Sequence, residues 1–183
     1  MDRLPQLVEA ALFSADGPVS VSALLALDRD SSRSDILEAI EEVRRQYADG
    51  GHGVELVEVA DGYQLLTRRE FADAIARAQL VTRPRRLSGP ALETLAIVAY
   101  RQPVGRAEIE EIRGVSVESV LRSLLDRGLI DVVGRSEGTG RPLLYGTTQG
   151  FLELLGLKNL DELPRLEELS VALRSPEDIH GMG

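Results

Sequence analysis

The sequence predicts a mainly α chain carrying small β-hairpins and built as two tandem copies of one plan. Three observations carry this. Apolar residues recur at helical spacing in three successive segments, then give way to two β-type runs around a turn signal. That succession occurs twice within 183 residues. Residues also match between the copies at a constant offset. Ala11, Leu12, Pro18, Val19 and Leu24 correspond, 85 positions on, to Ala96, Ile97, Pro103, Val104 and Ile109. Aromatic content is only 4%, so Leu, Ile, Val and Ala must fill the cores, which suits small helical domains.

In the first copy, "LPQLVEAALFSA" places Leu4, Leu7, Val8, Ala11, Leu12 and Ala15 on one helical face, with Pro5 in the first turn where its missing N–H costs nothing. "DGPVS" breaks that helix, and Ser20 is placed to cap a short second one through Leu24, Leu25 and Leu27. A third helix follows Ser34, with Ile36, Ile40, Val43 and Tyr47 at helical spacing. "VELVEVADGYQLLT" then reads as two strands turning at Asp61-Gly62, and Phe71 opens a closing helix.

The second copy repeats the order. "PALETLAIVAYRQ" sets Leu92, Leu95, Ala96 and Ala99 on one face, "QPVGRAEIEEI" supplies the break and second helix, and "SVESVLRSLLDRG" the third. "GRSEGTGRPLLYGTT", residues 134–148, is Gly-rich and basic, so it raises the question of a phosphate-cradling loop. Such a loop needs G-x-x-x-x-G-K-[ST] with a helix directly after it. This stretch has no Lys and lies between the apolar runs "LIDVV" and "LLYGTT", so its glycines serve a hairpin tip. "GFLELLG" closes the copy. Three helices and a hairpin form the winged-helix arrangement, giving two tandem winged-helix domains at 1–79 and 89–169, a linker at 80–88 and a disordered tail at 170–183.

Composition narrows the function classes. There is no cysteine, so thiol catalysis, disulfides and thiolate metal sites are excluded. The two histidines, His52 and His180, are far apart and read as solvent-facing, and no residue pattern supplies a nucleophile, a metal or a cofactor site. "MDRLPQLVEAAL" lacks the basic-then-apolar pattern of a signal peptide and no apolar run approaches a membrane span, so a cytoplasmic protein is expected. Net charge is −9, unevenly spread: residues 1–80 hold 8 basic and 15 acidic side chains, 81–150 hold 10 and 8, and 151–183 hold 3 and 7.

A winged helix that reads DNA lays a basic third helix in the major groove. Here the third helix of the second copy turns Glu118, Ser119, Arg122, Ser123, Asp126 and Arg127 outward, two acids against two bases, and that of the first copy carries Glu38, Glu41 and Glu42. Neither reads as a DNA reader. Weak phosphate contact falls to Arg83, Arg85 and Arg86 in the linker. A winged-helix transcription regulator is the alternative to a protein-binding role.

The second copy resembles the segregation and condensation protein B family closely, through "LSGPALETLAIVAYRQPVGRAEIEEIRGV" and "LIDVVGRSEGTGRPLLYGTTQGFLELLGL"; "ALF" and "GYQLLT" extend the likeness into the first. The resemblance implies a non-enzymatic role without cofactors. Members form homodimers mainly through their first domains, here helices 4–15 and 36–47, and hold the central part of the kleisin ScpA. The kleisin in turn bridges the SMC heads that compact and segregate chromosomes during cell division, so contact with SMC is indirect and association with the nucleoid follows. Candidate kleisin contacts are Tyr100, Arg101 and Gln102 at the end of one helix, Arg113 before the third helix, and Arg141 and Tyr145 on the wing. Arg113, Arg141 and Tyr145 are favoured, because Arg and Tyr bring forked hydrogen bonds and large contact area to interfaces. Pro103 and Gly114 are expected to set turns and Tyr100 to pack in the core.

Overall fold

The computed structural model describes residues 3–78, 86–137 and 140–165. The expected linker at 80–88 therefore lies largely outside the described residues, as do the tail, His180, Arg83 and Arg85. The chain is mixed α/β, with helices and two small antiparallel sheets.

Helix α1 (Leu4–Ser14) buries Leu4, Val8 and Leu12. Leu7, expected on that face, is instead largely exposed, and Ala15 lies beyond the helix end. Ser20 caps α2 (Val21–Leu24) as expected, its Oγ accepting from Ala23 N at 3.2 Å. Helix α3 (Arg33–Asp49) starts two residues earlier than expected, because Ser32 and Asp35 form a reciprocal capping box. Ser32 Oγ accepts from Asp35 N at 3.2 Å, and Asp35 Oδ2 accepts from Ser32 N at 2.7 Å. These bonds hold the Asp35 carboxyl below its ordinary value. Tyr47 on α3 donates to Glu9 on α1 at 2.7 Å, and this acceptor pushes the Tyr47 hydroxyl above its ordinary value.

Strands β1 (Val54–Val59) and β2 (Gly62–Thr67) pair from Val54↔Thr67 to Val59↔Gly62. The turn residues are thus Ala60 and Asp61, one position earlier than the Asp-Gly signal suggested. Gly62 answers a different need. A Cβ there would lie 3.0 Å from the Val19 carbonyl carbon and oxygen, so a side chain would push Val19 off the strand. A helical turn (Arg69–Phe71) and α4 (Ala72–Arg77) follow.

In the second half, Ser88 caps α5 (Gly89–Arg101), and the buried residues are Ala91, Thr94, Leu95, Val98 and Ala99. Leu92 and Ala96, expected inward, are exposed. A short strand β3 (Val104–Gly105), which the sequence reading did not contain, precedes α6 (Arg106–Arg113) and α7 (Glu118–Asp126). Strands β4 (Ile130–Arg135) and β5 (Leu143–Thr147) form the hairpin, with Val133 as a bulge, and Thr148 caps α8 (Gln149–Leu155). The sheet order is β3-β5-β4, all antiparallel.

Two cores result. Leu24, Ile36, Ile40 and Val43 centre the first, and Val98, Ile109, Val117 and Leu124 the second. Burying each such side chain contributes roughly 1.5–3 kcal/mol. The repeat is visible atom by atom. Val19 and Tyr63 exchange N–H···O bonds of 2.9 Å in both directions, and at the matching place Val104 pairs with Tyr145.

Two outcomes are expected. Gly150→Ala, a change that favours an ordinary helix, places a Cβ 2.8 Å from the Gly128 carbonyl oxygen. It should lower stability by about 1–3 kcal/mol, read as a lower urea midpoint at unchanged slope. Tyr47, with its raised value in the fold, contributes stability fully present below about pH 10 and lost as pH rises through the folded value. The stability gap between wild type and Tyr47→Phe should therefore shrink on titration above about pH 10.

Candidate partner-binding surfaces

The corner of α5, α6 and β5 gathers most of the residues singled out in the sequence, and their geometry divides them into two groups. Arg113 ends α6 with a side chain only 10% exposed. Its guanidinium donates to Pro90 O at 3.2 Å, to Thr94 Oγ1 at 3.0 Å and to Glu93 Oε2 at 2.7 Å. It therefore fastens α6 to the first turn of α5. Gly114 follows it in the left-handed region, φ 68°, and closes α6 by donating to Glu110 O.

Tyr145 lies on hairpin strand β5, is 8% exposed and is part of the second core. Its neighbours Leu144 and Gly146 face the other way by strand alternation. Gln102 Oε1 accepts from Thr147 N at 2.8 Å, and its Nε2 donates to Thr147 Oγ1 at 3.0 Å and Ala99 O at 3.3 Å. That carboxamide ties the end of α5 to the end of β5, next to the cis Gln102–Pro103 bond. Tyr100 is half-buried against the core, and its hydroxyl donates to Pro164 O at 2.6 Å.

Tyr100, Gln102, Arg113 and Tyr145 are thus occupied within the chain. The fork of Arg113 and the ring of Tyr145, expected as contact residues, are used within the chain in this structure. Arg101 and Arg141 are exposed, and neither side chain has an ion-pair or hydrogen-bond partner among the described residues. Arg86 is exposed too.

A surface the sequence reading missed lies on the other side of α5. Leu92, Leu129, Leu154 and Leu155 line an open, mainly apolar groove of about 800 Å³, with Arg86, Arg127 and Glu153 around it. Leu92 is 52% exposed and Leu154 48%. The signal was present: α5 carries Leu92, Ala96 and Ile97 besides its buried positions, an apolar arc wider than one core-facing stripe needs.

A family model described as segregation and condensation complex subunit ScpB matches residues 6–166. The chain belongs to the ScpB family. A segregation and condensation protein B of Moorella thermoacetica is 47% identical over 185 residues, covering 100% of this chain and 92% of that protein. Among solved structures, ScpB from Mycobacterium tuberculosis is 36% identical, with 86% of this chain and 98% of that one covered and a TM-score of 0.40. A dimer of an ScpB N-terminal domain complexed with ScpA peptide is 27% identical over 46% of this chain and 100% of that one, with a TM-score of 0.40.

In this ScpB-family chain, the first half leaves its own apolar residues outside. Leu7, Ala10 and Phe13 share the outer face of α1 at three-residue spacing, and Phe13 is 83% exposed. Neither third helix is basic, as the sequence suggested: α3 holds five acidic residues against three basic ones, and on α7 acids face bases. On α7, Glu118 lies 3.8 Å from Arg122 and 3.8 Å from Arg106, so Arg122 takes Glu118 rather than Asp126. On α3, Glu41 meets Arg44 at 2.5 Å and Glu42 meets Arg45 at 2.6 Å. Among the described residues no helix is long and apolar enough to cross a membrane.

Arg113→Ala should behave as a loss of internal fastening. It removes charge-assisted bonds from a nearly buried guanidinium and should cost about 2 kcal/mol of stability, read by urea unfolding. Arg101→Ala, by contrast, should leave the unfolding midpoint unchanged.

Proposed function

We propose that this ScpB-family chain is a non-enzymatic scaffold made of two winged-helix domains, 1–79 and 89–169. The first pairs with a second copy of the chain, and the second contacts the kleisin ScpA, which links it to SMC in chromosome condensation and segregation. Family membership supports the role. The observation that carries the assignment to surfaces is the pair of apolar patches outside the two cores: the outer face of α1, and the groove between α5 and α8.

An aromatic ring as exposed as Phe13 is unfavourable in water and is suited to burial against a partner. A two-fold contact centred on α1 repeats the same patch on both copies, and a contact of ordinary size buries about 800 Å² per copy. The α5–α8 groove offers apolar walls with Arg86, Arg127 and Glu153 at its edge, which fits an amphipathic segment of the kleisin. Arg101 and Arg141 remain as exposed cations for the same partner. Third helices without a basic outer face favour a protein partner over a DNA-reading role, leaving Arg86, with Arg83 and Arg85, for weak phosphate contact.

Light scattering tests this directly. The chain alone should run at twice its 20.0 kDa mass, and Phe13→Glu should return it to a single copy while leaving its circular dichroism intact. A wild type at single-chain mass, or a Phe13→Glu that still pairs, removes α1 as the dimer face. Leu154→Asp should keep the dimer and weaken ScpA binding at least about tenfold, the 1.4 kcal/mol expected for charging the wall of an apolar contact. Equal ScpA affinity would move the kleisin site elsewhere. Tight duplex DNA binding with a steep salt slope would favour the regulator reading instead.

A further inference from the structure

The tip of the first hairpin is already engaged. Ala60 and Asp61, the two central residues of its turn, are both left-handed, at φ 50° and 55°. Two-residue turns of this hand favour Asn, Asp or Gly, since a Cβ in that region crowds its own backbone. Ala60 has no polar side chain to offset the crowding, yet its methyl group is used: it packs against the core of the second half.

The backbone of the tip points the same way. Ala60 N donates to Leu157 O at 2.9 Å, and Asp61 N donates to Lys158 O at 2.8 Å. The receiving residues are themselves fixed. Leu157 N donates to Leu152 O at 3.0 Å and Lys158 N to Glu162 Oε2 at 2.8 Å, so their amides are taken and their carbonyls are offered. Two side-chain pairs flank the contact: Lys158 Nζ lies 3.4 Å from Glu58 Oε2, and Gln149 Nε2 donates to Asp61 Oδ2 at 3.3 Å. These flanking groups are exposed and contribute little. The two amide bonds and the methyl contact carry the junction.

We infer that the first hairpin tip is a latch that fixes the second half against the first, with the Leu157–Lys158 segment as its receptor. In a hairpin whose tip stood in water, these two amides would be open to exchange and a left-handed alanine would have nothing to offset it. Docking gives both a partner. The latch also sets the angle at which the α5–α8 groove is held relative to the outer face of α1.

Hydrogen exchange by NMR on the wild-type dimer reads the latch without any substitution. The Ala60 and Asp61 amides should exchange at least about tenfold more slowly than an open turn, the protection conferred by roughly one net hydrogen bond. Exchange at the open-turn rate would overturn the inference. A second test uses the absence of native cysteine. Spin labels at Ser34→Cys and Ser123→Cys, both exposed positions on the two third helices or their ends, report the distance between the halves, with labelled chain diluted into unlabelled chain. Wild type should give one narrow distribution. Ala60→Arg, which cannot seat its side chain against the second core, should broaden it and abolish the amide protection. A broad wild-type distribution, or an unchanged one in Ala60→Arg, would likewise overturn the latch.

Discussion

A two-stranded hairpin is marginal in water, and both hairpins of this chain depend on a third piece of backbone that stitches them to the helices. In the first half that piece is Val19, exchanging two hydrogen bonds with Tyr63. In the second it is β3, where Val104 meets Tyr145. Much else follows from this contact. It draws the segment between the first and second helices down onto the sheet, which places Val104 and Tyr145 in the core. It requires Gly62 beside Val19, since a side chain there would meet the incoming backbone. It also brings Gln102 to the end of β5, where its carboxamide satisfies the Thr147 amide. Losing the contact would leave each hairpin with one strand edge unpaired.

With the cores closed in this way, what stays outside acquires meaning. On α3 and α7, Glu41, Glu42 and Glu118 pair with Arg44, Arg45, Arg122 and Arg106, and α3 keeps an excess of acids, which repels a phosphate backbone. The apolar residues outside the cores have no such internal partner. Scattered exposed leucines are ordinary, but Leu92, Leu154 and Leu155 line one groove and Leu7, Ala10 and Phe13 one helix face. Third helices without a basic face, together with contiguous apolar surface, suit a protein whose partners are other chains, and this is the pattern the proposed scaffold role requires.

The order of elements was legible because helical spacing and turn chemistry are local properties, and the duplication allowed each half to check the other. Ser20 was read as a cap because a short-range bond from hydroxyl to amide is encoded in neighbouring residues. What failed depended on contacts distant in sequence. The Asp-Gly pair looked like the turn, but Gly62 is set by Val19, more than forty positions away. Leu92 was placed inward because periodicity cannot say which of two apolar arcs faces the core. The type of Arg113 and Tyr145 could not say that Pro90, Thr94 and Glu93 surround one and the second core the other; that follows only from the fold. Strand β3 was too short to carry an alternating pattern.

The two hairpins share a plan but have diverged at the tip, and the divergence assigns them different work. The first joins its strands through two residues, Ala60 and Asp61, and both amides are bonded to the other half. The second joins its strands through residues 136–142, where Gly140 and Arg141 are left-handed at φ 81° and 43°. A non-glycine residue in that region costs on the order of 1–3 kcal/mol unless its surroundings hold it there. At Ala60 the surroundings are the second core. At Arg141 the described contact is its carbonyl accepting from Arg135, at 3.4 Å, while its side chain stays exposed. One hairpin tip therefore contacts the other half, and the other tip carries a constrained, outward-facing arginine. The same plan thus leaves one tip engaged within the chain and the other exposed, where a partner could reach it.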